Sequence, residues 1–226
     1  MTLDRRALLA APAALAGCAA SRTPAPLLVD IDRAPDEIIP LWPDAPPGGE
    51  NVTITEAEVA RENPFGLVDR AAHNVTHPTL ARFAAREPTG AALLIIPGGG
   101  YSWVVIDKEG FEGARWFSRR GVTCYVLRHR LPHQGWAARA DAPLQDAQRA
   151  MRLIRARAVQ DGIDASPIAA MGFSAGGHVA GSLAARYDAR VYASADAIDE
   201  FSARPDLSAL VYPVITMRAP HAHAGS

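Results

Sequence analysis

Cysteine is nearly absent from this sequence: Cys18 and Cys124 are the only two among 226 residues. If Cys18 is consumed in processing, no internal disulfide can form, and an oxidising compartment adds nothing to stability. Cys124 sits in an apolar stretch and reads as a small buried hydrophobe. Net charge is also nearly absent, with 23 basic against 24 acidic side chains, which argues against nucleic acid or an anionic membrane as a partner. There is no apolar run near the roughly 20 residues that a membrane-spanning helix needs. No lysine comes after the glycine run at 98–100 at the Walker spacing, and no G-x-G-x-x-G occurs, so nucleotide binding is disfavoured. No cofactor or metal site is expected. His221-Ala-His223 lacks further ligands nearby.

What is present divides the chain into three. Residues 1–18 carry Arg5-Arg6, a short apolar run and Leu15-Ala16-Gly17-Cys18, the layout of a secretory signal. The paired arginines resemble a bacterial twin-arginine address, and the last four residues a lipobox that would lipidate Cys18. An ordinary signal peptide containing a cysteine is the alternative. The expectation is an exported protein, periplasmic or membrane-anchored, touching a membrane only through a lipid at Cys18. Residues 19–50 are proline-rich, with Pro24, Pro26, Pro35, Pro40, Pro43, Pro46 and Pro47, and read as a tether and N-terminal wrap. Residues 51–226 hold the folded domain.

Within that domain, four apolar runs at 91–96, 122–127, 167–171 and 207–212 predict strands buried on both faces. Helical periodicity predicts helices over about 109–120, 141–160 and 175–187, with Gly121 and Gly162 closing the first two. Residues 51–59 and 78–84 are weaker strand candidates. Alternating strands and helices predict an α/β fold: a mostly parallel sheet covered on both faces, with chemistry at the strands' carboxyl ends. Arg149, Arg152, Arg155 and Arg157 read as the solvated side of the second helix.

Gly172-Phe173-Ser174-Ala175-Gly176 fits G-x-S-x-G between a predicted strand and a predicted helix. A nucleophilic serine needs a sharp turn with almost no neighbouring side chains, which those glycines allow. Ser174 is therefore the candidate nucleophile; a tight turn with a capping serine is the bland alternative. Pro97-Gly98-Gly99-Gly100-Tyr101 is the second element. Ester attack creates an oxyanion that backbone N–H groups must meet, and Gly99, Gly100 and Ala175 are the candidate donors. A merely flexible turn is the alternative. Tyr101 and Trp103 are a possible substrate loop. Trp103 and Trp136 suit either sugar stacking or loop anchoring.

From about residue 51 onward the chain resembles bacterial esterases of the α/β-hydrolase superfamily, described as carbohydrate acetyl esterases or xylanase-associated esterases. The resemblance is carried by Ile96-Pro-Gly-Gly-Gly-Tyr101, Asp107-Lys-Glu-Gly110, Val126-Leu-Arg-His-Arg-Leu-Pro132, Leu144-Gln-Asp-Ala147 and Gly172-Phe-Ser-Ala-Gly-Gly-His178. It implies removal of acetyl or other small acyl groups from carbohydrate. A peptidase or general carboxylesterase on the same fold, or an inactive lipoprotein remnant, are the competing readings.

The triad partners are the gap. In this superfamily acid and histidine come after the serine, on later loops. The acids C-terminal to Ser174 are Asp188, Asp196, Asp199, Glu200 and Asp206, and the histidines are His178, His221 and His223. His178 lies one turn behind the serine and reads as structural. Asp206 with His223 is a weak in-chain pair. The expectation is that the triad acid and histidine lie beyond Ser226, in a chain that stops before its last strands. Arg128-His129-Arg130 suits either a substrate carboxylate or a charged strand end packed on acids, and Asp146 a partner for Arg149 or a loop backbone.

Overall fold

The computed structural model describes residues 33–216, 218 and 220–222; Cys18 and the export segment, like His223, lie outside them. The four apolar runs become strands β5 (Ala92–Ile96), β7 (Thr123–Arg128), β8 (Ile168–Phe173) and β9 (Leu207–Val211). Along β5, Leu94 and Ile96 enter one core while Leu93 and Ile95 enter the other. That two-sided burial is why the run shows no polar alternation. β5 pairs in parallel with β7 and β8, and β8 with β9. Two antiparallel strands, β4 (Thr79–Phe83) and β1 (Glu37–Pro40), extend the sheet to the order β1-β4-β7-β5-β8-β9. A separate small sheet joins β2 (Ala57–Ala60), β3 (Arg70–His73) and β6 (Val104–Val105).

Helix α1 (Glu112–Ser118) contributes Ala114 to the core on one sheet face. Helices α2 (Ala142–Ala156) and α4 (Ser174–Arg186) bury Leu144, Met151, Ile154, Val179 and Leu183 on the other. The expected second helix breaks at Arg157, and a short α3 (Ala158–Asp161) ends on left-handed Gly162. The first helix is preceded by a π-helical turn, Asp107–Phe111.

Two sequence expectations need correction. The tether reading fails for residues 33–50, because Ile39, Leu41 and Trp42 are core residues and Glu37–Pro40 is an edge strand. Proline is compatible with that position because an edge strand leaves one side's N–H groups unneeded. The arginine face of α2 is not uniformly solvated either. Arg149 is buried, donating to the Leu41 carbonyl and to both Asp196 oxygens at 2.7 and 2.6 Å. Arg155 reaches Asp206, and Arg157 reaches Glu37 and Asp161. The face is polar because the returning segment and β1 supply acceptors to it.

Candidate active site

β5 and β8 are adjacent and parallel, with Ile96 opposite Gly172. The glycine loop and the serine turn therefore leave the same end of the sheet, from neighbouring strands. Phe173 is still extended at φ −110°, ψ 135°, and Ser174 opens α4 with φ at +50°. A non-glycine residue held there stores about 1–3 kcal/mol of strain. The glycines at either side of the turn are required by close approach. A side chain on Gly172 would run into the Gly176 carbonyl and sit 2.8 Å from the Gly177 Cα; one on Gly176 would strike the Ile96 and Pro97 carbonyls. At Gly176 the serine turn and the glycine loop are in direct contact.

Gly99 and Gly100 both have positive φ, 134° and 61°, and Tyr101 continues at 59°. Among the described residues no acceptor is hydrogen-bonded to the Gly99 or Gly100 N–H, whereas the Gly98 N–H donates to Glu109 Oε2 at 2.8 Å. The Ala175 N–H lies in the first turn of α4, where no intrahelical carbonyl is available. The Gly98 position is the point of the loop that meets the serine turn, 2.9 Å from Ser174 Cβ for an added Cβ, and the Gly99 and Gly100 amides follow it directly in the chain.

Tyr101 turns inward from the loop. Its side chain is buried, and its hydroxyl lies 2.6 Å from His178 Nδ1. Burial pushes the phenol up and the imidazole down. The phenol accordingly keeps its proton, and the two side chains share one hydrogen bond whose direction follows the His178 tautomer. This bond ties the glycine loop to the helix that Ser174 opens. Trp103 remains exposed at the loop's far side, its ring 4.7 Å from that of His73. Trp136 is buried and stacks on Arg130 at 4.8 Å, an anchoring role.

Arg130 and Asp146 are both fully buried and paired at 2.8 Å, and Asp146 also accepts from the Arg130 N–H and from Trp42 Nε1. Asp146 therefore serves Arg130, not Arg149. Arg128 meets Glu56 and Glu58, so the Arg128–Arg130 stretch is a charged strand end packed on acids. His129 is buried between the Arg130 and Pro97 carbonyls, and burial holds it neutral.

None of the later acids reaches Ser174. Asp196 and Asp199 pair with Arg149 beside α2. Asp206 precedes β9, accepts from the Ile168 N–H, and so lies at the amino end of the sheet, opposite the serine. That placement removes Asp206 as a triad acid. Among the described residues no histidine is hydrogen-bonded to the Ser174 hydroxyl, and no group of three or more metal-ligating side chains occurs. A cavity of about 570 Å³ lies elsewhere, between Ile38, Arg70, Val104, Phe111 and Arg128, and does not border Ser174. Its Arg70 and Arg128 are paired with Glu58, Asp107 and Glu56.

Sequence reading missed two contacts, Tyr101 with His178 and Glu109 with Gly98. The second lies within Asp107-Lys-Glu-Gly110, one of the segments that carry the family resemblance, so a signal existed there without a partner to interpret it.

Comparison with known proteins gives the family. An acetylxylan esterase of Xylanibacter ruminicola is 31% identical over 144 residues, which is 64% of this chain and 27% of that protein. Endo-1,4-beta-xylanase B of Butyrivibrio fibrisolvens is 40% identical over 134 residues, 59% of this chain and 21% of that protein. The chain thus spans less than a third of either relative's length. Among solved structures, an acetyl ester-xyloside bifunctional hydrolase from Caldicellulosiruptor lactoaceticus superposes with TM-score 0.60 at 29% identity, covering 85% of this chain and 62% of that one. Thermogutta terrifontis esterase 2, phosphonylated by sarin, matches at TM-score 0.52 and 21% identity over 66% of this chain and 54% of that one, which supports the fold alone. The fold is that of the α/β-hydrolases. With the BD-FAE model matching residues 84–211, the chain belongs to the BD-FAE family.

Proposed function

We propose that this protein is a serine ester hydrolase that removes acetyl or other small acyl groups from carbohydrate. The observation that carries the reading is the contact between the glycine loop and a serine held at positive φ at the same sheet end. In this reading the Ser174 hydroxyl adds to the ester carbonyl, and its proton passes to a base. The carbonyl oxygen becomes an oxyanion facing the Gly99, Gly100 and Ala175 amides, each such donor lowering the barrier by roughly 2.7–4 kcal/mol. The acyl–oxygen bond to the sugar then breaks, the sugar oxygen takes a proton, and water later releases the acyl group from Ser174. The small acyl group and the carbohydrate are supported by the acetylxylan esterase and acetyl ester-xyloside hydrolase relatives. The Arg5-Arg6 pair and Leu15–Cys18 segment add the proposal of export with a lipid on Cys18.

A fluorophosphonate probe tests the nucleophile. In the protein carrying the triad acid and histidine that the resemblance implies, intact-mass and peptide analysis should show one adduct, on Ser174, and none in Ser174→Ala. Acetate release from acetylated xylo-oligosaccharides should exceed cleavage of long-chain esters and peptides. An adduct on another residue overturns the nucleophile assignment, and preference for peptides overturns the substrate class.

A further inference from the structure

Glu109 stands where three strands deliver their loops. The sheet order places β8 between β5 and β9, all parallel, so Gly98, Ser174 and Tyr212 emerge side by side at the carboxyl end. Glu109 Oε2 accepts from the Gly98 N–H at 2.8 Å, and Oε1 accepts from the Tyr212 hydroxyl at 3.1 Å. One carboxylate thus spans the two loops that flank the serine turn. It also lies close to that turn. The point a Gly98 Cβ would occupy is 2.7 Å from Glu109 Oε2 and 2.9 Å from Ser174 Cβ.

The element carrying Glu109 is built to aim it. Phe111 N–H bonds to the Ile106 carbonyl and Glu112 N–H to that of Asp107, the i to i+5 spacing of a π turn. Such turns are rare and recur at functional sites. Asp107 fastens the turn to β3 through the Arg70 N–H and guanidinium at 2.8–3.0 Å. Gly110 lets it lie directly on β7, since a side chain there would be 2.6 Å from Val126. Burial and the neighbouring carboxylate push the Tyr212 phenol up to about 12, so it stays a donor.

We infer that Glu109 is a positioning residue for ester hydrolysis. By holding the Gly98 N–H and the Tyr212 hydroxyl, it fixes the glycine loop over Ser174 and leaves the Gly99 and Gly100 amides for the oxyanion. The inference rests on the proposed serine chemistry and extends it to a side chain that never touches substrate. A small shift of such a loop lowers rates by about a hundredfold in other enzymes.

The test compares the protein carrying that triad acid and histidine with its Glu109→Gln and Glu109→Ala variants. Gln keeps an acceptor for Gly98 and a partner for Tyr212 without the charge; Ala keeps neither. The rate of Ser174 phosphonylation by a fluorophosphonate should fall about tenfold or more in E109A and stay within about threefold in E109Q. The Gly98 amide resonance should shift in E109A and stay near its wild-type position in E109Q. A merely structural role moves neither readout selectively. Equal labelling of all three proteins, or a Gly98 amide resonance unchanged in E109A, overturns the inference. Failure of the wild type to label at Ser174 rejects the serine chemistry and with it the role in hydrolysis.

Discussion

At the scale of single residues, the serine turn was legible and its supports were not. G-x-S-x-G carries its own steric logic: two absent side chains and one strained serine can be read from five letters. Tyr101 and His178 are 77 positions apart in sequence, and nothing in either motif says that the two meet. The bond yields a prediction. Tyr101→Phe leaves His178 Nδ1 without its hydrogen-bond partner in a half-buried setting, a loss of roughly 1–3 kcal/mol. The melting temperature should fall by several degrees, and hydrogen exchange should rise across residues 98–104. Unchanged exchange there would show that the loop is held by other contacts. Arg130 belongs to the same scale. It is buried with Asp146, so Arg130→Ala strands a carboxylate, at a cost of about 3–5 kcal/mol. Urea unfolding of Arg130→Ala measures that directly, and a loss under about 1 kcal/mol contradicts it.

At the scale of elements, the four parallel strands announced themselves because burial on both faces forces unbroken apolar runs. The small sheet was signalled only where β2 overlaps the weaker candidate at 51–59. Ala57–Ala60 is exposed along its whole length, and Val104–Val105 is two residues long, so neither has a periodic signature. β1 was hidden for another reason: the proline content around it suggested a tether, yet Ile39, Leu41 and Trp42 pack into the core. The arginines of α2 likewise looked like a water-facing row until residues 191–206 folded across them. Arg149 is the hinge of that contact, bonded to Asp196 and Asp199 and to the Leu41 carbonyl. Arg149→Met should keep the helix, since methionine has good helix propensity. It should release residues 191–201, seen as faster hydrogen exchange there than in α4. Equal protection of that segment in wild type and variant would mean it is held by Tyr192 and Arg152 instead.

For the molecule as a whole, the response to acid should come in two stages. His129 and His178 are held neutral by burial, below their ordinary value, so the unfolded chain binds protons first. Stability from these groups is present near pH 7 and declines as pH falls through the ordinary histidine range. His129 faces the Arg130 and Pro97 carbonyls, with Asp146 and Arg130 nearby. Glu56, Asp196, Asp199 and Asp206 have lowered values, through hydrogen bonds and arginine partners that outweigh burial where it opposes them. Their contribution survives to lower pH and is lost as pH falls through the carboxylate range. In urea unfolding across pH, His129→Asn should flatten the first stage and leave the second.

Among the described residues the main sheet also has an open edge. β9 pairs with β8 on one side, and no strand among the described residues pairs with its other side. Leu207 is 61% exposed on that strand, and Ile215 is 77% exposed just past its end. An open edge with apolar side chains offers unpaired backbone groups and a dry surface together, the combination that recruits another chain. Leu207→Lys adds a charge that edge-to-edge pairing would have to desolvate, while an exposed site keeps the folding change within about 0.5 kcal/mol. Sedimentation across a range of concentrations should show association of the wild type that weakens in the lysine variant, at unchanged melting temperature. Leu207 opens β9 at the amino end of the sheet, away from Ser174, so fluorophosphonate labelling should stay constant as association falls. A wild type that remains monomeric at every concentration would show that twist and the neighbouring polar groups already protect this edge.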